Sequence, residues 1–264
     1  MKTVCLYLFL LLGPVAHAQS FKTFVSFDGT KIAYTEEGSG IPVILLHGFI
    51  SSGNSWNQSV LKKDLLDHGC RVIIPDLRGN GNSDQPQHES AYSNDAEIKD
   101  IQALANHLEL HSYLAVGYSR GAIVLAKLLT EEKKILKAVL GGMGLDFTDP
   151  DWDRRIMFQK AFSGEEPLNE VTSGAVNYAK SIGANLKILG FLQEFQPVTS
   201  LDQLNRISVP VLVIAGDLDT DNGNPKELKE QIPNAVLEIV PGEHNDTYQS
   251  DLFSKEIIKF FDLK

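Results

Sequence analysis

The sequence predicts an α/β fold: a mostly parallel central sheet of about eight strands with helices on both faces. Three observations predict it. Short β-branched apolar runs alternate with amphipathic stretches through most of the chain, as strand–helix crossovers require. The runs are continuously apolar rather than alternating, which suits strands buried on both faces. The 264 residues, 43% hydrophobic and 22% charged, are enough to bury a sizeable core in one domain.

The first residues stand apart from that pattern. Lys2 precedes an apolar run over residues 4–12, then Gly13-Pro14-Val15 and the small-residue site Ala16-His17-Ala18. This predicts a secretory signal peptide over residues 1–18, cut between Ala18 and Gln19, and so a secreted or periplasmic protein. The run is too short for the roughly 30 Å of a bilayer core, so no membrane span is expected once the signal is removed. Of the two cysteines, Cys5 would leave with the signal. Cys70 is then unpaired and reads as a packed small hydrophobe.

Residues 19–264 are expected to form the single domain. Strands at 23–27 and 31–35 are joined by Asp28-Gly29, a strong hairpin turn signal. Buried strands follow at 43–46, 72–75, 113–116, 138–140, 211–214 and 235–240. Helices are expected at 94–110, 120–130, 226–231 and 251–261. From about 146 to 207 the alternation stops, leaving two Trp- and Phe-bearing helical patches and no buried strand. That stretch is too long for a loop and predicts a helical cap inserted over the sheet.

Charge narrows the function. Lys and Arg total 24 against 34 Asp and Glu, a net charge of −10. That balance argues against a nucleic-acid partner and against anionic membrane surfaces. Two motif-like runs fail. Gly79-Asn80-Gly81-Asn82-Ser83-Asp84 lacks the third glycine and the following helix of a dinucleotide fingerprint. Asp217 to Leu228 has Asn222 and Leu228 where a calcium loop needs Gly and Glu. No Cys/His cluster has zinc spacing. No metal or cofactor is expected.

One motif fits its context. Gly117-Tyr118-Ser119-Arg120-Gly121 is a G-x-S-x-G sequence between a buried strand and a helix, where a nucleophile elbow must lie. A serine hydroxyl needs a base, and the base needs an orienting carboxylate. Of seven histidines only His244 lies beyond Ser119, in Pro241-Gly242-Glu243-His244 after the 235–240 strand. The strand at 211–214 runs into Asp217-Leu218-Asp219-Thr220-Asp221, and Asp146 follows the 138–140 strand, so several carboxylates compete as orienter. At the end of the 43–46 strand, His47-Gly48-Phe49 offers the backbone N–H of Phe49. With the N–H of Arg120 it would face a developing oxyanion.

Together these residues resemble the α/β-hydrolase fold family, in its serine-nucleophile, capped type, over nearly the whole mature sequence. The resemblance is carried by His47-Gly48-Phe49, Asp76-Leu77-Arg78-Gly79-Asn80-Gly81-Asn82-Ser83-Asp84, Gly117 to Gly121, Gly216-Asp217-Leu218-Asp219 and Gly242-Glu243-His244. It implies Asp219 as the acid, third after Gly216, and a cap over the interval 146–207. The family often has His at the place of Asn80 and Gly at that of Glu243. Its dehalogenases and epoxide hydrolases use an Asp nucleophile, from which Ser119 departs.

The resulting expectation is an exported serine hydrolase cleaving a small, fairly apolar ester or related acyl compound through an acyl-enzyme. Ser119, His244 and Asp219 are the catalytic set, with Phe49 and Arg120 as oxyanion donors. Trp152, Met157, Phe158, Phe162, Phe191 and Phe195 are candidate pocket walls. Acyl transfer, or amide or peptide hydrolysis, with the same three residues is the alternative. A non-catalytic ligand-binding member of the fold is a further one, although no member of the set is missing. Nothing in the pattern sets an oligomeric state.

Overall fold

The computed structural model describes residues 21–264, so the expected signal segment 1–18 lies outside the described residues. Around Asp28-Gly29, β1 (Lys22–Val25) and β2 (Lys31–Gly38) pair antiparallel. Asp28 Oδ1 accepts the Thr30 N–H, and Gly29 takes a φ of 91°, which costs a glycine no steric strain. The chain continues through β3 (Ile41–Leu46), α1 (Asn54–Asn57), α2 (Val60–Asp67), β4 (Cys70–Pro75), α3 (Ala96–His107), β5 (Tyr113–Tyr118), α4 (Arg120–Leu128) and β6 (Ile135–Gly141). Four helices then follow in succession: α5 (Asp153–Ser163), α6 (Glu170–Ser181), α7 (Leu186–Glu194) and α8 (Leu201–Leu204). The chain closes with β7 (Val211–Gly216), α9 (Pro225–Gln231), β8 (Ala235–Val240), α10 (His244–Thr247) and α11 (Asp251–Phe261).

The eight strands form one sheet in the order β1-β2-β4-β3-β5-β6-β7-β8. The β1–β2 and β2–β4 pairings are antiparallel, and all others are parallel, so the predicted fold class holds. The expected strands all form, and β5 and β7 run past their apolar stretches to Tyr118 and Gly216. Helix α2 was not expected. Its signals are short: Ser59 caps it by accepting the Lys62 N–H, and Leu61 and Leu65, four apart, are buried.

Strand periodicity sorts the core into two layers. Ile44, Leu46, Ala115, Val211 and Val213 face the cluster that holds Ile98, Leu104, Leu125 and Leu228. Val43, Leu45, Val116, Leu212 and Ile214 face the one that holds Leu61, Leu65, Phe253 and Ile257. Each such Val, Leu, Ile or Phe side chain contributes about 1.5–3 kcal/mol on burial. Cys70 lies unpaired and buried in the second layer.

No strand intervenes between β6 and β7. Helices α5, α6 and α7 enclose their own apolar cluster of Phe162, Val176, Ala179, Ile188, Leu189 and Leu192. Ile50 and Tyr92, from loops at the sheet's carboxyl edge, complete it. The chain rejoins the main core by Leu204 and Ile207. Among the described residues no helix is long and apolar enough to cross a membrane.

A buried ionic network pins the antiparallel end. Arg78 Nε and Nη2 donate to Asp100 Oδ2 and Oδ1, both at 2.6 Å, and Nη1 to Asp28 Oδ2 at 3.0 Å and to the Ala91 carbonyl. Ser26 Oγ donates to Asp100 Oδ1 at 2.5 Å. Burial opposes the Arg78 charge, yet Asp100 and Asp28 hold its pKa above the ordinary guanidinium value.

Candidate active site

The chain leaves β3 toward β4 on one side and returns through β5 on the other, so the carboxyl ends of β3 and β5 flank a topological switch point. Open α/β sheets bind ligands at such a point. Ser119 sits there, between β5 and α4, with φ 54° and ψ −122°. A non-glycine residue held in that region stores strain that its surroundings must enforce. The flanking glycines make the turn feasible. A Cβ on Gly117 would meet the main chain of Gly121, and one on Gly121 would meet the Leu46 carbonyl.

His244 begins α10 just beyond β8, and its Nε2 lies 2.9 Å from Ser119 Oγ. Its Nδ1 lies 2.6 Å from Asp219 Oδ2 in the loop after β7. With the Nδ1 proton directed to the carboxylate, Nε2 is left to accept from the serine. The Asp219 side chain is 2% exposed and the imidazole 25%, so the carboxylate is sealed while the imidazole reaches the cavity. The rival carboxylates lie elsewhere. Asp217 Oδ1 accepts the Gly242 N–H at 2.9 Å, and Asp146 packs against Gly223.

Two positioning contacts escaped the sequence reading. Asn222 is buried, and its Nδ2 donates to Asp219 Oδ1 at 3.0 Å while lying 3.0 Å from His244 Nδ1. The sequence marked it only as a misfit in a calcium loop. Its carbonyl accepts the Gly144 N–H at 2.7 Å, and a Cβ on Gly144 would collide with the Gly223–Asn224 peptide. Tyr118 donates from its hydroxyl to the His244 carbonyl at 2.7 Å. Burial raises the Tyr118 pKa well above the ordinary phenol value, which keeps that donor protonated.

The loop after β3 is held by its own histidine. His47 Nε2 accepts the Leu77 N–H at 3.0 Å, so Nδ1 carries the proton and donates to Gly48 O at 2.9 Å. Gly48 C=O and Phe49 N–H share one planar trans peptide and point oppositely, so fixing the carbonyl fixes the amide. Burial lowers the His47 pKa, favouring the neutral ring these bonds need. A Cβ on Gly48 would come within 3.4 Å of Ser119 Cβ, so this loop runs close beside the serine. Neither Phe49 N–H nor Arg120 N–H donates to an acceptor among the described residues. The Arg120 side chain turns inward and donates to Glu97 at 2.5 Å, both groups being buried.

A cavity of about 670 Å³ opens over Ser119 and His244, floored by the strand ends and roofed by α5, α6 and α7. Of the six aromatic and Met positions expected on its walls, Trp152 and Phe158 line it, and Phe49 joins them. Phe162 is buried in the separate helical cluster, with Phe191 and Phe195 packed against it. Met157 Sδ meets the Asn169 amide at 3.4 Å. Gln193, Gln196 and Arg155 line the cavity without having been expected to.

Comparison with known proteins agrees with this architecture. The sequence pattern of the alpha/beta hydrolase fold family matches residues 41–162. A protein of Synechocystis sp., provisionally named a non-heme chloroperoxidase, is 32% identical over 250 residues, 80% of this chain and 87% of its own. The crystal structure of a bromoperoxidase from Bacillus anthracis superposes with a TM-score of 0.71 at 24% identity, covering 92% of this chain and 100% of that one. An esterase from Exiguobacterium antarcticum gives 0.71 at 23% identity, covering 91% and 98%.

Proposed function

The chain belongs to the α/β-hydrolase fold family, and from that premise we propose that it is a serine hydrolase cleaving a small ester or related acyl compound. One observation carries the reading: Ser119 Oγ, His244 and Asp219 lie in series at 2.9 and 2.6 Å, with the serine on a strained elbow at the cavity floor. Ser119 Oγ attacks the acyl carbonyl as His244 Nε2 takes its proton. The oxygen that gains charge is received by the Phe49 and Arg120 N–H groups. His244 then protonates the leaving alcohol, and an acyl-enzyme remains. Water, deprotonated by the same nitrogen, adds to the acyl carbon and releases the acid and the serine. Asp219 holds the imidazole proton throughout, and Asn222 steadies Asp219.

The helices between β6 and β7 act in this reading as a cap that limits what reaches Ser119. Export rests on the sequence alone, and intact-mass measurement of secreted or periplasmic material should find a chain beginning at Gln19. The central test is covalent labelling. A fluorophosphonate should add once to the protein, and Ser119→Ala should lose both the label and turnover, the latter by about 10⁶-fold. Undiminished labelling of the Ala variant would show that another residue is the nucleophile.

A further inference from the structure

The cavity wall differs in character on the two sides of Ser119. On the side of the expected oxyanion donor Phe49 it is apolar. The Phe49 ring packs against Phe158 and Phe162, with centroids 6.2 and 5.5 Å apart, and Trp152, Phe158 and Ala175 of the inserted helices line the cavity beside it. This side stays apolar where it meets solvent. Val171, Tyr178 and Ile182 are 54%, 55% and 50% exposed, and their spacing makes one stripe with Ala175 along α6.

On the side of His244 the wall is polar. Asn245 and Asp246 follow the histidine directly in α10, and Gln249 comes one turn later. Tyr248 meets Trp56 of α1 edge to face at 5.6 Å, which brings Ser51 and Ser55 to the same side. Ser51, Ser55, Asn245, Asp246 and Gln249 all line the cavity, and all keep exposed surface. The side chains of Asn245 and Asp246 make no hydrogen bond with another described residue. Hydroxyls and primary amides both donate and accept, and a carboxylate accepts. A hydroxyl-bearing occupant satisfies such a set, whereas an alkyl group strips water from it without replacement. Openness to solvent alone does not account for this polarity, because the equally open rim of α6 is apolar.

The chemistry assigns the two sides to the two halves of an ester. The oxygen that His244 Nε2 protonates belongs to the leaving alcohol, which therefore lies toward α10. The acyl oxygen lies at the Phe49 N–H, toward the inserted helices. Resting on the acyl-enzyme reading above, we propose that the alcohol part of the substrate is a short polyol of glycerol size, held by Asn245, Asp246 and Gln249 with Ser51 and Ser55. The acyl chain lies along Phe49, Trp152 and Phe158. Ser119 Oγ bonds to the acyl carbon as the bond to the polyol oxygen breaks, and His244 carries the serine proton to that oxygen. Water then releases the acid and restores the serine.

The test compares 1-monohexanoylglycerol with propyl hexanoate, which form the same acyl-enzyme and differ only in two hydroxyls. With each kcat/KM divided by that ester's rate of alkaline hydrolysis, the glycerol ester should be favoured by about tenfold or more, the scale of two hydrogen bonds. Asn245→Leu and Gln249→Leu should each bring the ratio toward one. On the unaltered protein, with p-nitrophenyl hexanoate as acyl donor, glycerol should be acylated in preference to 1-propanol at equal concentration, because an acceptor enters where the alcohol leaves. A smaller ratio, a ratio that both variants leave unchanged, no preference for glycerol as acceptor, or faster cleavage of hexanoylcholine would overturn the polyol. If the protein is still labelled at Ser119 and hydrolyses p-nitrophenyl hexanoate, the hydrolase reading stands. Loss of that labelling and hydrolysis together would overturn both.

Discussion

The buried cluster of Ser26, Asp100 and Arg78 contrasts with that of Ser119, His244 and Asp219, and of these two the second faces the cavity. Near the antiparallel edge, Ser26 donates directly to Asp100, whose oxygens are also bound by Arg78, and the Arg78 and Asp100 side chains are 0% and 2% exposed. At the carboxyl edge, an imidazole stands between Ser119 and Asp219 and is partly exposed to the cavity. The first cluster has every strong donor matched and no room for a reactant. The second leaves a serine oxygen beside a cavity and two backbone amides without acceptors. The components are alike, and the difference is the base between them and the space in front. A polar cluster serves as glue when its hydrogen bonds are closed and as machinery when one is left for a substrate.

That contrast breaks hardest at the acid of the open cluster. Asp219→Asn keeps shape but favours the wrong imidazole tautomer, so turnover should fall by roughly 10⁴-fold. Asp217→Asn and Asp146→Asn should lose little, because neither carboxylate reaches His244. A crippled Asp146→Asn beside an active Asp219→Asn would move the acid to the β6 end. In the closed cluster the loss should appear in stability instead. Arg78→Met strands Asp100 as an unpaired buried charge and should cost about 3–5 kcal/mol in denaturant unfolding, with kcat in dilute buffer unchanged.

His47 joins the two behaviours and gives the comparison a pH axis. Burial holds its folded pKa below the ordinary value, so an unfolded chain takes up a proton from about pH 6.5 downward while the fold resists. Stability should therefore be unaffected by this group above that pH and decline below it, by at most about 1.4 kcal/mol per pH unit. His47→Gln should flatten the fall in melting midpoint between pH 6.5 and 5, and an unchanged slope would rule this group out as its source. The smallest effect concerns selectivity. Trp152→Ala or Phe158→Ala should shift the preferred acyl length by a few carbons, read from a series of p-nitrophenyl esters, while phosphonate labelling persists. If neither shifts it, the helices over the cavity only pack.

Much of this arrangement was legible because it depends on local chemistry. The strands announce themselves as continuous apolar runs, and the elbow needs small residues on both sides of Ser119, which the sequence displays as Gly117 and Gly121. The order of Ser119, Asp219 and His244 along the chain follows from the order of strand ends they occupy. Asn222 was illegible for the opposite reason. An amide side chain has no distinctive spacing, and its role arises from which loop folds against it. The cavity walls were half legible: helical periodicity marks Phe162 and Trp152 alike as apolar, but only packing decides that one is core and the other faces the cavity.

The close approach of Gly144 to Gly223, with the Gly144 N–H on the Asn222 carbonyl, bears on how such proteins are recombined. It welds the segment where the inserted helices begin to the loop that carries Asp219, so the helices are not an interchangeable module. A chimaera that imports another protein's cap with a junction before Gly144 brings in a foreign side chain there. That side chain pushes the 219–224 loop and shifts Asp219 away from His244 even though Ser119, Asp219 and His244 are all retained. Junctions drawn after Asp146 and before Leu204 leave the seam native. Libraries built with the two kinds of junction should therefore differ in their fraction of active members far more than in their fraction of folded ones.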